Sequence, residues 1–302
     1  MKFADGHSDF LSKAIDSKDW ESFASSPEKL KKGNVILQVY AIYVSSDHQA
    51  SKRALRQIEL FHRLDVKMVF KKDDLPDDLS EKPHILLALE GLLPIDGYPE
   101  LLKIFHKLGV RMASLVWSRI NSFADGSLFD REPTGRGLTP HGKEALKIME
   151  DLGWILDISH LNDEGVRDAF ENFDGMVVAT HSCARALCDI ERNLPDEFIE
   201  EIARRNGIIG LNYSPKFLTC ENKANIDDVL KHLEYLVKVA GEDHVGLGSD
   251  FDGLSSYPEG FDSAEKLPEF GEKLIERFGK EVAEKIAYKN WLRVLRNSLP
   301  KE

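Results

Sequence analysis

Cysteine is scarce in this chain: three residues, Cys183, Cys188 and Cys220, in a length of 302. An odd number without Cys-x-x-Cys spacing argues against a structural zinc knot and reads as no disulfide framework. Long apolar runs are also missing, the longest, residues 35–44, being too short to cross a bilayer. No block of Lys and Arg interrupts an acidic balance of 40 basic against 52 acidic side chains, a formal charge of −12. Such a surface repels phosphate backbones and anionic headgroups, so neither nucleic acid nor membrane is an expected partner. The opening residues, Met1 to His7, carry no apolar signal core, and the closing ones, Asn297 to Glu302, no hydrophobic tail. Both point to a cytoplasmic protein. No Pro/Gly/Ser-rich linker divides the chain, and no glycine-rich phosphate loop follows the first β-rich run. The second absence removes the main support for an open dinucleotide-binding sheet.

What is present is a soluble globular composition, 42% hydrophobic and 30% charged, which excludes a disordered chain. Eight near-continuously apolar runs recur at 3–9, 35–44, 85–90, 110–116, 154–160, 176–181, 208–213 and 245–250. Strands covered on both faces have this texture. Between them, apolar spacings of three and four mark helices. Residues 51–64 place Leu55, Ile58, Phe61, His62 and Leu64 near one stripe, and 227–240 repeat Val229, Leu230, Leu233, Leu236 and Val237. Pro99, Pro140 and Pro195 stand where helices start. Alternation on this scale predicts a single (β/α)8 barrel domain spanning residues 1–302.

Barrel enzymes carry their chemistry at the C-terminal ends of the strands. Those ends here are His7 with Asp9, Glu90, His160, His181 and Asp250. A single histidine in such a place is usually a hydrogen-bonded structural residue. Ionisable groups on five separate strand ends, however, cannot converge in a barrel mouth without cations or mutual pairing. His84 and His244 open their strands and belong to the opposite rim. His48, His62, His106, His141 and His232 fall in helices or loops as surface or packing residues. Asp157 and Ser159, of opposite parity to His160, read as supporting groups, and Asp5 and Asp252 as candidates for orienting a ligand. Three imidazoles and two carboxylates exceed what one tetrahedral zinc with an open position needs. Two metals sharing Glu90, with a bridging hydroxide, fit better and imply hydrolysis, leaving Asp250 as the proton shuttle.

These residues and their surroundings resemble the membrane (renal) dipeptidase family of zinc peptidases. The likeness runs nearly end to end, through Asp5-Gly6-His7-Ser8-Asp9, Leu89-Glu90-Gly91, Gly137-Leu138-Thr139, Asp157-Ile158-Ser159-His160, Thr180-His181-Ser182 and Arg192-Asn193-Leu194-Pro195-Asp196. The longest block is Asp243-His244-Val245-Gly246-Leu247-Gly248-Ser249-Asp250-Phe251-Asp252-Gly253, followed by Asn290-Trp291-Leu292-Arg293. The resemblance implies a barrel with two Zn2+ ions, His7 and Asp9 on one, His160 and His181 on the other, and Glu90 between. It implies Asp250 as acid/base group, Arg192 on the substrate's C-terminal carboxylate, and free dipeptides as substrates, a C-terminal D-residue included. Mn, Co or Fe suit the same donors, and a homodimer is compatible with the reading.

Two positions depart from the family pattern. Trp117, in Trp117-Ser118-Arg119-Ile120-Asn121, stands where a histidine is usual, and Phe217 where a tyrosine assists the carboxylate. With Asn121, these are the candidate substrate contacts. Indole donates one N–H but takes no positive charge, so carbonyl polarisation rests more on the metals. Other binuclear barrel hydrolases, acting on cyclic amides, lactones or phosphotriesters, usually show His-x-His on the first strand, whereas this chain has His7-x-Asp9. A metal-binding barrel without catalysis is the third reading, opposed by the presence of Asp250 and Arg192.

Overall fold

The computed structural model describes residues 1–45, 48–77, 82–127 and 135–301. Its centre is a ring of parallel strands: β1 (Phe3–Ser8), β2 (Val35–Tyr43), β3 (His84–Glu90), β4 (Val110–Ser114), β5 (Ile155–Asp157), β6 (Val177–Ser182), β7 (Ile209–Leu211) and β8 (Val245–Leu247). Each pairs with its neighbour in the chain, and Asp5 opposite Leu247 closes β1 onto β8. A two-residue strand, Lys67–Met68, lies against the start of β3. The architecture is a (β/α)8 barrel of TIM type, and every β-rich run of the sequence supplies one strand.

Several strands are shorter than their apolar runs. The runs at 154–160, 208–213 and 245–250 each keep three residues in the sheet. Beyond β5 and β8 the backbone turns left-handed, at His160 (φ 72°) and at Asp250 (φ 59°), which ends sheet pairing before the ionisable residue is reached.

The helices follow the pattern with one correction. Ile226–Ala240 buries Val229, Leu230, Leu233 and Leu236, and Asn225 caps it through the amides of Asp227 and Asp228. Pro140 opens Pro140–Asp151 behind the Thr139 cap, Pro99 opens a 3-10 turn, and Pro195 immediately precedes Asp196–Arg204. In Ala50–Arg63, however, the buried face is Ala54, Gln57, Ile58 and Phe61. Leu55 is 48% exposed and His62 faces outward, because small Ala54 is the residue that meets the barrel.

Alternate residues of the strands feed two apolar cores. Ile85, Leu87 and Leu89 of β3 join the outer core under the helices, while Leu86 and Ala88 join an inner cluster with Leu37, Val39, Met112, Ile155 and Val178. One cluster drawn from so many strands is the barrel interior. Its lower end is closed by the helix Asn290–Ser298: Trp291 is fully buried, donates Nε1–H to the Leu247 carbonyl at 2.8 Å, and abuts Gly6 and Gly246, where any Cβ would collide with the indole. Asn290 and Arg293 tie the same helix to backbone carbonyls before β7 and β8.

The cysteine expectation is overturned. Cys188 and Cys220 form a disulfide with Cα atoms 5.4 Å apart, and Cys183 is the free, buried thiol. The two cysteines are 32 residues apart in sequence. They follow β6 and β7, which are neighbours in the ring, so topology joins what spacing alone did not.

Trp291→Ala removes the plug of the inner core and leaves a cavity that the rigid strands cannot fill. Denaturant unfolding should show a loss of about 3–5 kcal/mol, against little change for Leu55→Ala on the exposed helix face.

Candidate metal centre

The C-terminal mouth of the barrel gathers His7, Asp9, Glu90, His160, His181 and Asp250, all at least nine-tenths buried. They arrive by different backbone devices. The register of β1 against β2 shifts between Asp5 and Ser8, and that of β6 against β7 between Ala179 and Ser182, so His7 and His181 each sit at an irregularity that re-aims a side chain. His160 is aimed by its left-handed turn, and Asp9 stands just past β1 at the start of the helix Phe10–Ala14, its side chain making no capping hydrogen bond. Glu90 alone is a regular strand residue, in step with inward-facing Leu86 and Ala88.

The donor atoms converge. Glu90 Oε1 lies 2.9 Å from His160 Nε2 and 3.6 Å from both His7 Nε2 and His181 Nε2. His7 Nε2 is 3.9 Å from Asp9 and 4.0 Å from Asp250. Among the described residues, three triads are compact enough to hold an ion: His7–Asp9–Glu90, Glu90–His160–His181 and His7–His181–Asp250. Glu90 is common to the first two and Asp250 joins the third.

Hydrogen bonds fix the orientation of these groups. Thr180 Oγ1 donates to Asp157 Oδ2 at 2.5 Å, so at 2.7 Å from His181 Nδ1 it acts as acceptor. His181 therefore carries its proton on Nδ1 and turns the Nε2 lone pair into the cluster, the tautomer a metal ligand requires. His160 Nδ1 is held by Ser118 Oγ at 2.6 Å. Asp5 accepts from the His7 and Ser249 amides and from Gln38, pinning β1 beside β8, while Asp252 anchors the Ala24 and Ser25 amides.

The donor set passes the test of fit for divalent ions. His7 Nε2 and Glu90 Oε2 are buried without a hydrogen-bond partner, and His160 Nε2 faces His181 Nε2 at 2.9 Å. Burial pulls the His7 imidazole down, but Glu90, Asp9 and Asp250 overcome it and hold its pKa at about 10. Burial, and then repulsion from Asp9, pushes Glu90 well above the usual carboxylate range. The same two effects bring Asp250 to about 6 despite His7 and the Asn212 amide 2.9 Å away. Burial, with help from Arg192 and His7, drives His160 and His181 well below the usual imidazole range. The metal-free centre thus stores protons that binding cations would displace.

A pocket of about 420 Å3 opens over the cluster, lined by Asp9, Glu90, His160 and Asp250 together with Lys13, Tyr43, Arg53, Trp117, Ser118, Phe217 and Gly253. Trp117 forms a wall, its ring 5.9 Å from His160 and 5.1 Å from Tyr43. Phe217 covers Arg192, whose guanidinium carbon lies 5.4 Å from the ring centre. Arg192 is buried; it donates to Ser182 Oγ and the His181 carbonyl, while its Nε has no hydrogen-bond partner. Asn121 stands apart from the pocket lining. Its amide bonds to the Leu115, Phe123 and Ala124 backbone and so shapes the loop behind Trp117. Sequence reasoning gave no role to Tyr43, Ser118, Asn212, Lys13 and Arg53, or to Gly253, where a Cβ would collide with the Asp9 and Asp250 carboxylates.

Comparisons with known proteins place the chain in a family. Residues 1–300 match the family described as membrane dipeptidase, peptidase family M19. Dipeptidase aclJ of Aspergillus oryzae is 31% identical over 276 residues, covering 82% of this chain and 64% of its own length. Dipeptidase tcpJ of Claviceps purpurea is 34% identical over 260 residues, covering 82% and 61%. The chain thus spans somewhat under two thirds of these two relatives. A crystal structure of a metallo peptidase from Rhodobacter sphaeroides, liganded with a phosphinate mimic of the dipeptide L-Ala-D-Ala, superposes with a TM-score of 0.91 at 28% identity, covering 99% of both chains.

Two substitutions probe the centre. Glu90→Gln should strip metal from both triads that share it, whereas His7→Ala should spare the His160–His181 side; elemental analysis of protein purified without chelator distinguishes them, and identical losses would refute a shared Glu90. Gly253→Ala should leave the fold intact by circular dichroism while lowering metal content, because the methyl group displaces Asp9 and Asp250.

Proposed function

The chain belongs to the membrane dipeptidase family, and from that premise we propose that it is a binuclear zinc dipeptidase hydrolysing the single peptide bond of free dipeptides. The observation that carries this reading is Glu90, shared by two ligand triads on the floor of a pocket of about 420 Å3. His7 and Asp9 would hold one ion and His160 and His181 the other. Bound there, two divalent ions supply an acidified water as nucleophile and polarise the scissile carbonyl.

The remaining chemistry belongs to side chains. Asp250, held by Asn212 at the pocket edge, takes the proton released by the attacking water and returns it to the departing amine nitrogen. Its pKa of about 6 in the metal-free protein reflects the same burial that makes proton transfer to it productive. Trp117 excludes water from one side and leaves carbonyl polarisation to the cations. Arg192, buried behind Phe217 with an unsatisfied Nε, contributes the fixed positive charge that selects a free carboxylate one residue beyond the scissile bond. The L-Ala-D-Ala mimic bound by the Rhodobacter relative supports extending the substrates to a C-terminal D-residue.

Arg192→Ala should keep the metal content and cut dipeptide kcat/KM by roughly 30- to 150-fold, the worth of about 2–3 kcal/mol for a charge-assisted contact. A C-terminally amidated dipeptide should be poor for the native protein and lose little more. Equal losses on both substrates would reduce Arg192 to holding Ser182 and the His181 carbonyl.

A further inference from the structure

The pocket has a second charged wall that hydrolysis does not use. Lys13 lies one helical turn beyond Asp9, and Arg53 sits in the first turn of Ala50–Arg63 behind β2; both line the pocket. In a protein of net charge −12 this is a local reversal of sign. Asp16 offsets it only in part, since its one carboxylate accepts from Arg53 and Arg56, each at 3.0 Å, leaving one positive charge over. No carboxylate among the described residues pairs with Lys13. The wall therefore presents the Lys13 ammonium and an Arg53 guanidinium that shares Asp16 with Arg56 to a molecule in the pocket.

Position in the ring says which part of a dipeptide meets it. Arg192 follows β6, and β2 stands directly across the barrel from β6. With the C-terminal carboxylate drawn toward Arg192, the N-terminal residue extends toward the loops after β1 and β2. We propose that Lys13 and Arg53 read an anionic side chain on the N-terminal residue, so that the preferred substrates are dipeptides beginning with Glu or Asp. The proposal rests on the dipeptidase reading and adds the side-chain preference to it.

The test compares Glu-Ala with Gln-Ala, equal in shape and different in charge, on the metal-loaded protein. Native kcat/KM should favour Glu-Ala by roughly tenfold, as for a charge-assisted contact in a half-open pocket, and the ratio should shrink as salt is raised. Lys13→Met should reduce the ratio to about twofold, Lys13→Met with Arg53→Met should bring it to about one, and Lys13→Glu should turn the preference toward Lys-Ala. Calorimetric titration of the chelator-stripped protein with the same peptides reads the selectivity without turnover. Equal affinity for Glu-Ala and Gln-Ala, or a ratio untouched by the substitutions, overturns the proposal. Preferential binding of Glu-Ala with no cleavage of it or of Ala-Ala would uphold the charge reading and overturn the dipeptidase reading.

Discussion

Three carboxylates and three imidazoles are buried within a few ångströms of one another, and a protonated His7 only partly offsets the carboxylates around it. Asp9, Glu90 and Asp250 repel each other, and the His160 and His181 rings meet Nε2 to Nε2 at 2.9 Å. Burying unpaired charge costs several kcal/mol per group, so such a cluster persists only where its ligand returns more than the burial costs. That constraint orders the rest of the molecule. The rigid ring of strands supplies the force that keeps the groups together, and the Trp291 plug lets the ring stay packed below while its upper end remains polar.

The same constraint explains the irregular backbone around the mouth. A regular strand offers one inward side chain every second residue, and eight short strands cannot aim six donors at one point by pleat alone. Left-handed turns at His160, Asp250 and Ser118, and register shifts beside His7 and His181, make up the difference. Such conformations cost roughly 1–3 kcal/mol each. They cluster where donor direction matters more than local stability. The Asp157–Thr180–His181 chain belongs to the same arrangement, since it sets the tautomer that turns a lone pair into the donor cluster.

This division decides what could be read from sequence. The eight strands were legible because apolar runs depend only on burial from both sides, and the mouth was legible because ionisable residues end those runs. Strand parity holds at Glu90, a true strand residue in step with inward-facing Leu86 and Ala88. It assigned Asp157 a supporting place, although the strand ends at Asp157 and His160 points inward for a different reason, its left-handed turn. Leu55 was misplaced because hydrophobicity outranks size in a periodicity argument, whereas the barrel surface accepts Ala54 there. The Cys188–Cys220 bond and the pocket residues Tyr43, Lys13 and Arg53 were invisible. They become neighbours only when the loops after adjacent strands are folded side by side.

The two sides of the pocket are built to different standards. Behind β6 and β7, Asn193 Nδ2 bridges the Cys188 and Phe217 carbonyls at 2.8 Å each, Arg185 grips Asp163 through two hydrogen bonds of 2.7 Å and the Asn193 carbonyl through a third, and the disulfide joins both loops. Arg192 and Phe217 are thus fixed relative to the cluster of candidate ligands, which suits the carboxylate contact proposed for Arg192, since misplacement by an ångström is costly in rate. Behind β1 and β2, Lys13 is a solvent-exposed chain on a five-residue helix, and Arg53 is held by a single exposed pair with Asp16. A long flexible cation is a poor device for positioning a reacting atom, but it follows side chains of different length at little cost. In the proposed reading the rigid wall fixes where the peptide bond lies, and the compliant wall discriminates among the residues attached to it.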